Sequence, residues 1–534
     1  MKSEMATGCV SNIPADKSQA DAPKQKGSLL RHTFVYGAAS LFAYALSMVK
    51  AVVVGRLFGT TPEMDAYALA ILLPNLIGAL VSSTTAGALV PALAKAAEES
   101  EEARATVFRS SLAIFAAVSL LVTLLIALFA SPLAHIVGAA FDPYRLTLTT
   151  SMLRWASALV VSTGVYAVCS ADLLARKRSW AVGLSPALGT AISLAMIWSF
   201  SKPSIDVLAW SLVVGTVVQA VVLVVPAWNA SRKGSLNHWS NVHVRHSLAA
   251  QFSLLGAAMI GVANSFIDQA FATWLPRGSV SALNYAGSFN IIAMQVVVMA
   301  LGWVALPDFS ELAASGKLEL LRARVRRTVI LAAMLAAPAS LAVFAFGREA
   351  IHLVFEHGRF DAHSTRAVFS TWAAYSVGLV PAAMGMIIVR LINAIGKNAL
   401  LFRIGMLLLF ANAVLDYVFM RLWGLLGISL STSFVYLVSS VVLFIVVRAH
   451  VGPIVDRRTI LLVINAIVCA AISIIPIAAW RALSVGTIAV TTLQVLLFLL
   501  LLIATYSMTR LLRFQWSGFC GLSRIPFHVA FERN

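Results

Sequence analysis

A lone cation and a lone carboxylate open the chemistry of this sequence. Lys50 lies in "FAYALSMVKAVVVG", and Asp65 follows fifteen residues later in "GRLFGTTPEMDAYALAILLPNLIGALV". A charge at the centre of an apolar helix costs roughly 2.5–3.5 kcal/mol to insert. Lys50 therefore either faces an internal polar cavity or snorkels to an interface. Asp65 either caps the helix it opens, where a carboxylate meets the positive helix end, or faces the same cavity as Lys50. In "GVANSFIDQAF", Asn264 and Asp268 are four apart and share a helix face, with Gln269 beside them. Asp268 is the acidic candidate for an ion or proton site; its plainer reading is an outer-interface residue. Asn75, Asn284, Asn290 and Gln295 are amides at depth, which glue helices together as readily as they bind a ligand. Arg154, Arg390, Asn393 and Asp416 stand near helix ends, where anchoring competes with function.

Two richer-looking motifs carry less. "HLVFEHGRFDAHSTR" gathers His352, Glu356, His357, Asp361 and His363, but in no HExxH pattern. "AIGKNAL" lacks the glycine spacing and the Ser/Thr of a P-loop. Cys9, Cys169, Cys469 and Cys520 lie far apart with no CxxC, so neither a disulfide framework nor a zinc site is expected. No metal, cofactor or ATP motor is implied. Movement must draw on an ion gradient, the membrane potential or the substrate gradient.

The elements that must position these residues are membrane helices. The chain has 534 residues, 60% hydrophobic and only 12% charged, whereas a soluble domain carries about a quarter charged residues. Apolar runs of bilayer-spanning length recur along it, and about fourteen helices are expected between residues 33 and 509. The fold class is an all-α polytopic membrane protein, with residues 1–32 as a cytoplasmic tail. The net charge of +18 does not point to nucleic acid. "ARKRSW", "LRARVRR" and "VDRR" all fall on one side, as the positive-inside rule demands, with both termini in the cytoplasm.

A weak internal repeat divides the chain. "VVVGRLFGTTPEMDAYALAILLPN" followed by "LVPALAKAAEE" is echoed by "FIDQAFATWLPRGSVSALNYAGSFN" followed by "ALPDFSELAASGK", and Tyr67 and Tyr285 occupy matching places. The two copies run in the same sense, six helices apart, as in transporters that rock two halves about a central site. The expected organisation is an N-terminal lobe over 33–228, a hinge loop over 229–247 and a C-terminal lobe over 248–448. Two appended helices over 449–510 and an amphipathic cytoplasmic tail over 511–534 complete it. Pro338 and Pro381 mark candidate kinks.

"GRLFGTTPEMDAYALAILLPN … ALVPALAK", "GSVSALNYAGSFN … LGWVALPDFSELAASG", "FEHGRFDAHSTRAVFSTWAAYSVGLVP" and "GLLGISLSTSF" resemble the MurJ/MviN family of lipid II flippases over roughly residues 33–510. That resemblance implies two lobes around a cationic chamber. It also implies movement of an undecaprenyl-diphosphate-linked saccharide from the inner to the outer leaflet, and a lipid-tail groove at the last two helices. Lys50 falls where the family has an arginine in its first helix, and Asp65 matches the acidic residue opening the second. Further family arginines would fall at Tyr44, Gly78 and Ser288.

The substrate-binding set is then Lys50, Asp65, Asn75, Asn264, Asn284 and Arg390, with Asp268 and Asp65 for ion coupling. The cargo is lipid II or an exopolysaccharide repeat unit. A cation-coupled multidrug exporter and a non-transporting envelope scaffold are the competing functions. The expected partners are membrane lipids and a monovalent cation or proton, with no nucleic acid, for a monomer in the bacterial inner membrane.

Overall fold

The structure, a computed structural model, describes residues 22–236, 242–481 and 488–508. Most of both expected tails, the middle of the 229–247 segment, Cys9, Cys520 and the side chain of Gln295 lie outside what it describes. Among the described residues there are seventeen helical segments and no strand. The first half comprises α1 (Ala22–Phe58), α2 (Pro62–Glu99), α3 (Glu101–Leu128), α4 (Ala130–Val137), α5 (Pro143–Ala156), α6 (Ala158–Ala175), α7 (Ser179–Trp198) and α8 (Ile205–Asn229). The second comprises α9 (Val242–Ala272), α10 (Ser279–Ala314), α11 (Leu318–Phe355), α12 (Ala362–Val377), α13 (Leu379–Ala394), α14 (Asn398–Trp423) and α15 (Leu425–Val451). Two more, α16 (Arg457–Arg481) and α17 (Ile488–Met508), pack on α11.

Among the described residues, eleven helices are long and apolar enough to cross a membrane, or twelve when the bent pair α12 and α13 is one span. This count leaves out α10 and α17, so the exact number of fourteen expected from hydropathy is not confirmed. The pair bends by 47°. Gly378 fills the break, where its N–H donates to Ser433 Oγ at 3.1 Å and an added Cβ would meet Ser433 Cα at 2.7 Å. Pro381 follows as the third residue of α13, a helix position that does not require its missing N–H. Pro338, the other expected kink, sits inside one continuous helix.

The polar, arginine-rich stretch 307–327 suggests a loop by its charge but does not form one in the structure. It is almost wholly helical, and only residues 315–317 separate α10 from α11. Likewise Ser100 alone divides α2 from α3, its Oγ capping Ala103 N–H at 3.0 Å. Long charged side chains are good helix formers, so these spans continue into the aqueous layer as helix.

Both halves close on a shared core at one end of the bundle, the end expected to face outward. Phe58, Tyr67 and Leu69 from the first half share it with Tyr285, Phe289, Phe355 and Phe360 from the second. The two repeat tyrosines thus meet in one apolar plug. At the opposite end each half locks its own exit segment with arginines at the start of a corresponding helix. Arg104 on α3 donates to Ala230 O at 3.3 Å, and Arg109 binds Gly234 O. Arg322 and Arg326 on α11 donate to Val451 O at 2.5 Å and Ile454 O at 2.9 Å. Arg104 is buried against Asp172, which Arg176 also pairs at 3.0 Å.

Candidate functional site: a latch between the halves, a lone ammonium and a carboxylate pair

Asp65 does not line an open surface. Pro62 starts α2 and places Asp65 in its first turn, yet its carboxylate serves another helix. Oδ2 accepts the Gly278 N–H at 2.6 Å and Oδ1 accepts the Ser281 N–H at 2.8 Å. Those N–H groups belong to the N-terminus of α10, where a helix has unsatisfied donors and partial positive charge. Gly278 adopts φ +89°, in the left-handed region that favours glycine. Arg145 on α5 lies 3.4 Å from Asp65 Oδ2 and also binds Asp142. With no exposed surface, Asp65 is the centre of a polar latch between the halves.

Three further contacts complete the seal. Arg277 pairs with Asp142 at 3.4 Å, and the hydrogen bond from Arg145, aided by both guanidinium charges, holds the Asp142 carboxyl below the usual range. The Arg359 N–H donates to Arg56 O at 2.9 Å. Thr60 Oγ1 and Ser364 Oγ lie 2.8 Å apart. Ser364 gives its one proton to Asp361 Oδ1 at 2.8 Å, so Thr60 is the donor in that contact.

The histidine-rich segment is built into this mouth. Asp361 caps α12 through the Ser364 N–H at 2.8 Å. Glu356 accepts from Thr365 at 2.6 Å and pairs with His352 at 2.9 Å. Both carboxyls are held below their usual range, Glu356 first by Thr365 and Asp361 first by the Ser364 backbone.

Lys50 lies just inward of this plug. Four and eight residues further along the same face of α1, Val54 and Phe58 enter the shared core. Lys50 is half-buried, and no anion or acceptor engages its ammonium among the described residues. On α2, Asn75, Ala79, Ser83 and Ala86 form an exposed stripe, while that helix exposes no large apolar side chain. Lipid-facing surfaces of spanning helices are apolar, and α2 packs between α6 on one side and α9 on the other. Its small, polar stripe therefore borders space between the halves. On α10, Asn284 is half-buried and an added Cβ at Gly287 would meet nothing within 4 Å. Tyr44 and Ser288, where family arginines would fall, are exposed. Gly78 is not: a Cβ there would lie 3.0 Å from Thr163 Oγ1, which closes the position to an arginine unless α2 and α6 part.

The second half holds a buried carboxylate pair. Asn412 Nδ2 donates at 2.9 Å both to Asp268 Oδ1 and to Asp416 Oδ2. Thr432 donates to Asp268 Oδ2 at 3.1 Å, and Ser431 to Asp416. Asp268 is 7% exposed and Asp416 fully buried, with no basic side chain in reach among the described residues. Two buried like charges this close need a proton or a cation between them. Reading along one helix found Asp268 but not this partnership. Among the described residues, Asn264, four residues away, leaves its buried Oδ1 without a partner, as Arg390 leaves its Nε. Neither joins Asp268, Lys50 or Asp65 in a hydrogen bond.

Two halves sealed at one end over polar space, with an ionisable cluster inside one of them, define a membrane transporter of the alternating-access class. The same fold is found in the solved structure "Lipid II flippase MurJ, inward closed conformation", with a TM-score of 0.74 at 18% identity, covering 89% of this chain and 99% of that one. An inward-facing multidrug resistance MATE transporter of the MOP superfamily matches with a TM-score of 0.66 at 14% identity, covering 78% of this chain and 98% of that one. The lipid II flippase MurJ of Burkholderia cenocepacia is 26% identical over 451 residues, 79% of this chain and 84% of that protein. The sequence profile described as "Lipid II flippase MurJ" matches residues 54–502. The chain belongs to the MurJ family.

Proposed function

We propose that this chain is a flippase that carries an undecaprenyl-diphosphate-linked saccharide, lipid II first, from the inner to the outer leaflet of the bacterial cytoplasmic membrane. The observation that carries the reading is the ammonium of Lys50, unpartnered among the described residues, beneath the plug that both halves share. A diphosphate entering from the cytoplasmic side would supply the missing anion, at a depth where an unpaired charge is costly. Asn75 and Asn284 would hydrogen-bond the saccharide from the two halves, with Asn264 and Arg390 as further polar contacts. Both termini would lie in the cytoplasm and the working unit would be a monomer.

The latch around Asp65 supports a role in gating rather than in direct cargo contact. Release of the α10 N-terminus would let the outer mouth part as the halves rock. The Asp268–Asp416 pair fits a monovalent cation or proton, its neutralisation coupled to that movement. The apolar groove between α11 and α17 suits the polyprenyl tail. Family membership favours this reading over a drug exporter, because likeness to MATE proteins at 14% identity concerns the fold alone.

Complementation tests it. The gene should rescue a strain depleted of its lipid II flippase, and lipid II should become accessible at the outer leaflet. Failure of rescue, with accumulation of another radiolabelled lipid-linked intermediate in the native host's deletion strain, would reassign the cargo to an exopolysaccharide unit.

A further inference from the structure

One face of α11 carries two kinds of surface in sequence. Near its cytoplasmic start, Leu320, Ala323, Arg324, Arg326 and Arg327 line a recess of about 260 Å³. Further on, a groove of about 640 Å³ is lined by Pro338, Ala342 and Phe346 of α11 and by Phe498 and Leu502 of α17. Leu320 to Pro338 and Arg324 to Ala342 are each eighteen residues, about five helical turns, so recess and groove share a stripe. Asp308 and Ala293, both on α10, flank that stripe at its two levels.

The guanidiniums of Arg324 and Arg326 are anchored but not saturated by the contacts among the described residues. Arg324 meets Asp308 through Nε at 3.3 Å, and its two terminal amino groups have no partner among the described residues. Arg326 donates Nε to Ile454 O and lies 3.1 Å from Asp456, whose carboxyl is held low first by the Thr459 hydroxyl. Each guanidinium has five donors in a fork that matches phosphate oxygens. Arginines at the cytoplasmic interface beside an apolar cleft are the general pattern of a lipid-phosphate site.

Groove length selects among lipids. From Met334 to Ala350 it follows sixteen residues of α11, about 24 Å at ~1.5 Å per residue. That approaches the whole ~30 Å hydrocarbon layer, so it exceeds the reach of an acyl chain confined to one leaflet. A long isoprenoid has the length to fill it. We infer that the Arg324–Arg327 face of α11 binds the diphosphate of a polyprenyl lipid whose chain lies in the α11–α17 groove. This is a docking station outside the inter-half space and separate from Lys50. The inference rests on the flippase reading and names where its cargo is held at the inner leaflet.

The test uses the full chain in nanodiscs, with binding read by native mass spectrometry. Undecaprenyl diphosphate should bind the R324Q/R327Q variant about tenfold or more weakly than wild type, as loss of charged hydrogen bonds requires, while undecaprenol should bind both alike. A342W should weaken both ligands. R324K/R327K, which keeps charge but loses the fork, should fall between wild type and the glutamine variant, and it stands in should that variant fail to fold. Unchanged undecaprenyl diphosphate binding in both arginine variants, or equal displacement by phosphatidylglycerol, overturns the inference. K50A should bind undecaprenyl diphosphate at this station as wild type does and lose flipping. A wild-type protein that binds there yet never flips would refute the flippase reading and leave the station standing.

Discussion

The carboxylate of Asp65 and the backbone N–H of Gly278 meet at 2.6 Å across the boundary between the two halves, from positions 213 residues apart in sequence. A side chain at the start of one helix neutralises the start of another, and the junction is buried. Hydrogen bonds to a charged acceptor contribute about 1.5–3 kcal/mol each, and Asp65 accepts two from the backbone. Removing them should shift the balance between closed and open outer mouth at least tenfold. In a T60C/S364C background, whose parent hydroxyls touch at 2.8 Å, D65A should sharply lower the disulfide yield. D65N, which keeps shape without charge, should lower it less. An undiminished yield in D65A would show that the latch lies elsewhere.

Lys50 should behave differently from Asp65. K50A should insert and melt like wild type, because no described partner is lost, yet fail to flip lipid II. K50R should retain part of the activity. The measurement is complementation of a depleted strain, alongside membrane abundance by immunoblot. Full rescue by K50A would remove the diphosphate role.

For the carboxylate pair, D268N and D416N should each abolish the dependence of transport on a monovalent cation or on pH. N412A should weaken it, since one amide bridges both acids. Calorimetric titration of purified protein with sodium, repeated across pH, separates the two ligands. Sodium heats that survive in the D268N/D416N double variant would place the cation elsewhere.

Asp361, exposed at the plugged end, gives a pH prediction. Its carboxyl is held below the ordinary range, first by the Ser364 N–H and then by the Ser364 hydroxyl. A lowered value means the ionised cap stabilises the fold fully above the ordinary pKa of about 3.9 and loses that contribution as pH falls through the lowered value. D361A should therefore cost about 0.5–2 kcal/mol at pH 7, and the difference from wild type should shrink under strongly acid conditions. Thermal unfolding of both proteins in detergent at the two pH values checks it. A gap independent of pH would mean the carboxylate is not the cap.

Much of this architecture was legible in the sequence. Hydropathy marked the spans, and Tyr67 and Tyr285 marked a repeat whose two tyrosines share one core. Lys50 and Asp268 stood out because charge is rare in apolar runs. What escaped is tertiary. An i,i+4 relation links Asp268 to Asn264 on one helix, but its partners Asn412 and Thr432 arrive on α14 and α15. Asp65 looked like a cap for its own helix or a cavity residue, since no local pattern says that α10 begins beside it. The stretch 307–327 is polar enough to suggest a loop, although its residues favour helix as much as turn.

The arginine locks bear on how the chain could be divided. Arg104 and Arg109 hold residues 230–234 to the same half that precedes them, and Arg322 and Arg326 do so for 451–454. Each hemisphere therefore tidies its own trailing thread and needs no peptide bond to its neighbour for that purpose. Two genes encoding the pieces before and after residues 237–241, expressed together, should yield a working protein from severed chains.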